Sequence, residues 1–294
     1  MRILIFGKSG MLGQMLFSYL DSKKEKVFGT QRKGKDWPFY FNIQKPIPED
    51  DIFLNIPSDL DYIINCIGVN QLDRRTPDNF RLGFYINAFF PVYLCEFCRL
   101  NSIKMIHIST DAVFKESLSA RYEDDVCDGV GDYAISKILG EIYGPNMLNI
   151  RCSIIGNEAE MSSNLLSWFL SQHDGGVVSG YINHIWNGVT TLQLAKFIYR
   201  LIKTNEFSKI TAKTNVVHFS PNKPLSKFDL LVLFKDIYAK NICINPVKAK
   251  DDIVRILHSH LDVMNCCEFI KNKDIKDEII EMKEYFERSQ KNKE

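Results

Sequence analysis

The apolar run Arg2-Ile3-Leu4-Ile5-Phe6 leads without a break into Gly7-Lys8-Ser9-Gly10-Met11-Leu12-Gly13. A short apolar run bounded by glycine reads as a buried strand. Met11, Leu12, Met15, Leu16 and Leu20 then continue at helical spacing. Glycines between the two let the backbone turn sharply and approach a ligand with no Cβ in the way. A helix starting near Met11 aims its unpaired N–H groups and positive dipole end at that turn, an arrangement that suits phosphate. The spacing therefore predicts a pyrophosphate cradle formed by Gly7, Ser9, Gly10, Met11, Leu12 and Gly13, with a ligand-free βα turn as the plainer alternative.

The alternation continues down the chain. Residues 26–30, 61–68, 104–109 and 147–154 read as strands, and 79–100 (interrupted near Pro91) and 133–143 as helices. Near-continuous apolar strands separated by amphipathic helices predict a doubly wound parallel α/β sheet of the Rossmann type, covered on both faces. Ligands of such sheets bind at the carboxyl ends of the strands. Past residue 155 the pattern loosens. Helices are expected at 164–172, 191–203, 226–240 (with Ser226 as N-cap) and 273–288, and short strands at 176–178, 216–219 and 242–247. We expect a dinucleotide-binding domain over residues 1–155. A smaller, mostly helical substrate-binding lobe over 156–294 would be interleaved with the same sheet.

Composition narrows the partners. The net charge is +1 and no block of like charge precedes the tail, which argues against nucleic acid or an anionic membrane as partner. No apolar stretch approaches a membrane span, and residues 2–6 are too short for a secretion signal, so a cytoplasmic protein is expected. The eight cysteines then read as reduced thiols. Cys95 and Cys98 form a C-x-x-C, but within a helical pattern that predicts a buried face rather than a redox pair. His184 and His218 lack ligand-spaced partners, and no metal site is expected.

Tyr133-Ala134-Ile135-Ser136-Lys137 places a phenol and an ammonium four residues apart, on one face of a helix. A tyrosine is a weak acid at neutral pH, and a nearby ammonium stabilises its phenolate. Such a pair on a solvated helix would mean little. This one follows Ser109 and Thr110, whose hydroxyls end an apolar strand and so sit where a carbonyl could be polarised.

Four motifs now stand in order: Gly7-x-x-Gly10-x-x-Gly13, Asn65-Cys66-Ile67-Gly68, Ser109-Thr110-Asp111-Ala112-Val113-Phe114 and Tyr133-x-x-Ser136-Lys137-x-x-Gly140-Glu141. Together they resemble the extended short-chain dehydrogenase/reductases, and within them the dTDP-4-dehydrorhamnose reductase-like sugar-nucleotide reductases. Arg151-x-Ser153-x-x-Gly156 and Trp186-Asn187-Gly188-Val189-Thr190-Thr191 extend the likeness over roughly residues 1–200.

The resemblance implies a catalytic set of Thr110, Tyr133 and Lys137, with Tyr133 giving a proton to a sugar ketone. It implies cofactor contacts from the glycine turn, Asn65, Cys66, Ile67, Ser109, Tyr133 and Lys137. Related dehydratases carry an Asp-Glu pair after the threonine; here Ala112 follows Asp111, which argues for reduction. An epimerase with bound NAD(P) and a non-catalytic NADP-binding regulatory subunit stay open as alternatives. Arg32, at the end of the second strand where an NAD enzyme places an acid, favours NADP(H), with NAD(H) open. Candidate contacts to a nucleotide-sugar are Asn70, Trp168, Asn187 and Arg255, and a homodimer is the candidate assembly. Two departures fall where the sugar would sit: residues 115–122 lack the usual glycine-rich turn, and Val189 stands where proline is usual.

Overall fold

The computed structural model describes residues 1–30, 56–72, 74–117, 119–157, 164–261 and 274–291. The chain begins with β1 (Arg2–Phe6), α1 (Met11–Ser22), β2 (Lys26–Gly29) and β3 (Tyr62–Asn65). Helices α2 (Pro77–Phe84) and α3 (Phe90–Leu100) follow, joined through a π-turn at Tyr85–Phe89. Next come β4 (Lys104–Ile108), α4 (Asp132–Leu139), β5 (Met147–Arg151) and β6 (Ile154–Ile155). They are followed by α5 (Leu165–Leu170), β7 (Val177–Tyr181), β8 (His184–Trp186) and β9 (Val189–Thr190). Then come α6 (Thr191–Lys203), α7 (Glu206–Thr211), β10 (Val216–His218) and β11 (Leu225–Ser226). The last are α8 (Lys227–Tyr238), β12 (Cys243–Val247), β13 (Ile253–Arg255) and α9 (Ile275–Lys291).

These elements form two compact units, each discontinuous in sequence. The first takes residues 1–115, 126–151 and 198–217; the second takes 116–125, 152–197 and 218–294. The first unit is a six-stranded sheet in the order β2-β1-β3-β4-β5-β10. The pairs β1–β2, β1–β3, β3–β4 and β4–β5 are parallel. Ile3, Leu4, Ile5, Ile63, Ile64 and Ile106 have no exposed surface, as strands covered on both faces require. The architecture is the doubly wound parallel α/β sheet expected.

The register sets a polar row across the carboxyl half of this sheet. Phe6 pairs with Asn65, Asn65 with His107, and His107 with Asn149. Paired residues of neighbouring strands share a sheet face, so three fully buried polar side chains stand side by side. Beneath them lies an apolar cluster that includes Leu4, Phe6, Ile63, Phe90, Leu94, Cys98 and Met105. Cys98 therefore belongs to the core, and burial raises its thiol pKa; Cys95 is shifted the same way for the same reason.

The interruption expected near Pro91 is the π-turn. Pro91 has no N–H to give the carbonyl of Asn87, and the N–H of Phe90 reaches back to Tyr85 instead. The chain stays helical, but the Asn87 carbonyl is left facing α4. A Cβ at Gly140, the C-cap of α4, would lie 1.8 Å from that oxygen, so only glycine lets the two approach. This cap also ends α4 at Leu139, earlier than the expected 143.

Among the described residues, the second unit contains three small sheets: β11-β8-β13, β12-β7 and β6-β9. Strand β11 is antiparallel to β8, and β13 is parallel to it. Ser226 caps α8 in a reciprocal box with Asp229. Phe197 stacks on Phe219 at 4.0 Å in the interior. Arg121 lies alongside the residues that follow β13: its N–H donates to Ile256 O at 2.9 Å, and its carbonyl accepts from His258 N–H at 2.8 Å. Val189 N–H donates to Ser153 O at 2.8 Å, a bond that a proline there could not make. Strands β8, β9, β11 and β13 are two or three residues long, too short to show an alternating pattern. Among the described residues, no helix is long and apolar enough to cross a membrane.

Just past the α4 cap, Glu141 meets Arg151 at the end of β5; their side chains are 1% and 3% exposed. Arg151 Nε and Nη2 each donate at 2.8 Å, one to each carboxylate oxygen. Ser109 Oγ and Tyr143 OH donate to the same carboxylate at 2.8 and 3.1 Å. Burial opposes the Glu141 charge, but these hydrogen bonds and the Arg151 charge outweigh it and hold the carboxyl below its ordinary 4.5. A carboxyl depressed in the folded state stabilises the fold fully above 4.5 and loses that contribution as the pH falls through its folded value. Arg151→Met strands a buried carboxylate, and should lower the unfolding free energy by about 3–5 kcal/mol in a urea titration at neutral pH. Glu141→Leu with Arg151→Met should recover most of that loss, and should unfold less steeply in acid than the parent. A single variant as stable as the parent would show that the pair does not hold this corner.

Candidate active site

The glycine turn is built tightly. Gly7 has φ +86°, a conformation that disfavours side chains. Its N–H donates to Thr30 Oγ1 at 3.0 Å, and its carbonyl accepts from Gly10 N–H at 3.0 Å. A Cβ at Gly13 would fall 2.0 Å from the Gly7 oxygen, so the first turn of α1 presses directly on the loop. Gly10 caps α1 without a side-chain hydrogen bond, and no acid stands in the first turn. The N–H groups there are accordingly left for an anion. Ser9 and Gly10 are exposed, Met11 is half-buried, and Leu12 and Gly13 are buried.

Lys8, inside the turn, is a residue that sequence reasoning passed over. Its stem lies over Gly29 at the end of β2, where a Cβ would come within 2.6 Å of it. Its ammonium sits 3.7 Å from the centroid of the Phe17 ring. The signal was present: a cation between the first two glycines. Arg32 lies outside the described residues.

Thr110 and Lys137 are buried at the carboxyl end of β4. Thr110 begins the short 3-10 turn Asp111–Val113; its Oγ1 accepts from Ala112 N–H at 3.2 Å and donates to Asp111 Oδ1 at 3.1 Å. Tyr133 and Lys137 are both on α4, one turn apart, with Tyr133 half-buried. Lys137 Nζ donates to Ile108 O at 2.9 Å and lies 3.3 Å from His107 Nε2. The lysine is thus tied to the strand that carries Thr110. Ser109 is differently engaged: its hydroxyl donates to Glu141.

Around Lys137 the polar row closes in. Asn65 Oδ1 accepts from Ile67 N–H at 3.1 Å, and Asn65 Nδ2 lies 3.1 Å from His107 Nδ1. Burial first, and the Lys137 charge second, hold the His107 imidazole well below its usual pKa, so it is neutral at neutral pH. Burial likewise pushes the Cys66 thiol up to about 12 against the opposing influence of Lys137. Cys66 is therefore a thiol wall of the site and no nucleophile.

Asn87, in the π-turn, was also missed. Its Oδ1 accepts from Val69 N–H at 2.9 Å, and its Nδ2 donates to Val69 O at 2.7 Å and Ser136 Oγ at 3.0 Å. It ties the loop after β3 to the helix of Tyr133 and Lys137. A lone asparagine in an apolar helical pattern, four residues before a proline, was the available sign.

The expected substrate residues are placed as follows. Asn70 is exposed on the loop after β3, and Trp168 is 40% exposed on α5. The Asn187 amide is engaged at both ends within the second unit: Nδ2 donates to Leu257 O at 2.9 Å, and Oδ1 accepts from Leu257 N–H at 3.1 Å. Arg255 pairs with Glu116 at 2.8 Å, both partly exposed. Each of these two polar groups therefore has a partner within its own unit. Among the described residues no group of three His, Cys, Asp or Glu side chains gathers as metal ligands.

The chain is similar to proteins already characterised. A dTDP-4-dehydrorhamnose reductase of Mycolicibacterium smegmatis is 30% identical over 142 residues, a stretch covering 48% of this chain and 40% of that relative. The match thus spans less than half the length of the curated relative. Among solved structures, a dTDP-4-dehydrorhamnose reductase of Clostridium acetobutylicum superposes with a TM-score of 0.76 at 19% identity, covering 98% of this chain and 100% of the other. The Bacillus anthracis dTDP-4-dehydrorhamnose reductase, solved in complex with NADP, gives a TM-score of 0.75 at 18% identity, covering 96% and 98%. At such identities the likeness is one of fold. A family model, the RmlD substrate binding domain, matches residues 1–279, from β1 into the first turn of α9. With a match that takes in both units and every motif above, the chain belongs to the RmlD substrate binding domain family.

Proposed function

We propose that this chain is an NADP(H)-dependent reductase of the keto group in a nucleotide-activated 4-keto-6-deoxy sugar. The observation that carries the reading is a lysine at 3% exposure, bonded to the strand end that bears Thr110 and one helical turn from Tyr133. A structural helix face has no need of a buried amine beside a phenol. The family membership and the name shared by the mycobacterial and solved relatives support the substrate class.

The residues present fit a dinucleotide. The close Gly7–Gly13 packing and the uncapped start of α1 suit a pyrophosphate, and Lys8, whose stem lies over Gly29 at the end of β2, suits a 2′-phosphate, a role the sequence alone also offers Arg32. NADPH, when bound, supplies the hydride. The phenol of Tyr133 gives its proton to the keto oxygen as that oxygen takes on negative charge. Thr110 donates a hydrogen bond to the same oxygen, its hydroxyl turning from Asp111. Lys137 stabilises the phenolate that remains. Asp111 has Ala112 beside it, so a second carboxylate for removing a hydroxyl is missing from this turn. The reading carries with it a cytoplasmic location and a nucleotide-sugar as partner.

Absorbance of NADPH during incubation with dTDP-, UDP-, GDP- and CDP-linked keto sugars tests this directly, and consumption with at least one of them is expected. Tyr133→Phe should lower kcat by at least about a hundredfold while NADPH binding stays near the parent value. An enzyme that releases tightly held NAD on denaturation and consumes no reduced cofactor would be an epimerase instead. NADPH should bind more tightly than NADH, and Lys8→Ala or Arg32→Ala should narrow the difference; equal affinities in the parent would remove the preference.

A further inference from the structure

The Ile67, Asn65, His107 and Lys137 groups form one continuous hydrogen-bonded line, and its direction can be read. At its start is a backbone N–H, which can only donate, so the atom of Asn65 facing it at 3.1 Å is the carbonyl oxygen. The other end of the same amide is then the NH2 group, and it donates to His107 Nδ1 at 3.1 Å. A neutral imidazole has one acceptor nitrogen and one N–H. With Nδ1 accepting, the proton sits on Nε2, which points at Lys137 Nζ from 3.3 Å. An ammonium has three donors and no acceptor. The line therefore presents a donor to a group that accepts only in its amine form.

Nothing in the geometry relaxes this easily. Asn65 and His107 are fully buried and paired in register on adjacent parallel strands. Turning the amide over would set an NH2 against the N–H of Ile67. We propose that His107 is a positioning residue that, through Asn65, sets the proton on its own Nε2 and thereby restrains the charge on Lys137. This rests on the reading of Tyr133 and Lys137 as the proton-donating pair. Reduction needs Tyr133 to enter the reaction as the phenol. A fully charged lysine beside it would favour the phenolate, and the imidazole N–H limits that charge. Ionisable groups near the amine include the Cys66 thiol, just past β3, and Tyr133, one turn away on its own helix.

The tautomer can be observed without turnover. The protein has six histidines, so nitrogen-15 imidazole spectra of labelled full-length protein are tractable, with His107 assigned by the signal lost in His107→Gln. A protonated Nε2 and bare Nδ1 near neutral pH are expected; a protonated Nδ1, alone or with Nε2, would overturn the proposal. Asn65→Asp reverses the line, because a carboxylate accepts from both Ile67 and Nδ1. In that variant the proton should leave Nε2 for Nδ1, and a tautomer unchanged from the parent would count against the proposal. The alkaline limb of kcat should then move to lower pH by about one unit, as Lys137 gains charge. A profile that superimposes on the parent's would show that the line does not govern the lysine. The parent spectrum needs no substrate, so an Nε2 proton in a protein that reduces no keto sugar would leave this inference standing and remove the functional reading.

Discussion

Placing a lysine amine inside a protein is expensive unless each of its protons and lone pairs is answered. Lys137 is buried against the Ile108 carbonyl and the His107 ring, and much of the first unit serves that placement. Ile108 offers its carbonyl as β4 ends, His107 stands one residue earlier on the same strand, and Asn65 stands beside it on β3. Asn87 fixes the helix that carries the lysine through Ser136. Gly140 lets that helix end against the π-turn, and Glu141 then closes on Arg151. Most of these contacts join segments distant in sequence, and together they set where Tyr133 and Lys137 stand relative to Thr110.

What the sequence revealed were the features encoded locally. The glycine turn, the strand-helix alternation, the i, i+4 phenol-amine pair and the Ser226 cap each depend on residues within a few positions of one another. Their physical causes act over one turn of chain, so spacing alone exposes them. The supporting polar groups were hidden for the opposite reason. His107 is a single polar letter in Lys104-Met105-Ile106-His107-Ile108, and its meaning appears only when β3 is laid beside it. Glu141 and Arg151 are ten residues apart and meet because the chain turns back through β5. The end of α4 was overestimated because Leu139 to Tyr143 keep an apolar rhythm, while the Gly140 cap and the carboxylate after it stop the helix.

The second unit was harder to read. Its strands are short, and β13 and the segment 116–125 pair across more than a hundred residues, so no local pattern could join them. The segment after Phe114, which the sequence already shows to be without a glycine-rich turn, is bonded through Ser117 and Arg121 to residues 254–258. Asn187 follows the same logic: an amide that looks available in sequence binds both backbone groups of Leu257. A polar side chain near a presumed ligand competes with the backbone for that role, and here the backbone holds both of its ends.

The sheet order carries a consequence for how the protein is made. Strand β5 is complete at Arg151, yet the strand beside it, β10, begins only at Val216. Until it arrives, the N–H of Asn149 lacks the Asn215 carbonyl that accepts from it at 2.7 Å, and Tyr62 lacks the Phe207 ring packed at 5.3 Å. During synthesis on the ribosome, β5 is therefore an open edge while the intervening segment, most of it belonging to the other unit, is translated. An unpaired edge of apolar parallel strand is a template for wrong pairing. Until residue 217 has emerged, the nascent chain therefore carries an open edge that a chaperone could shield from misassembly.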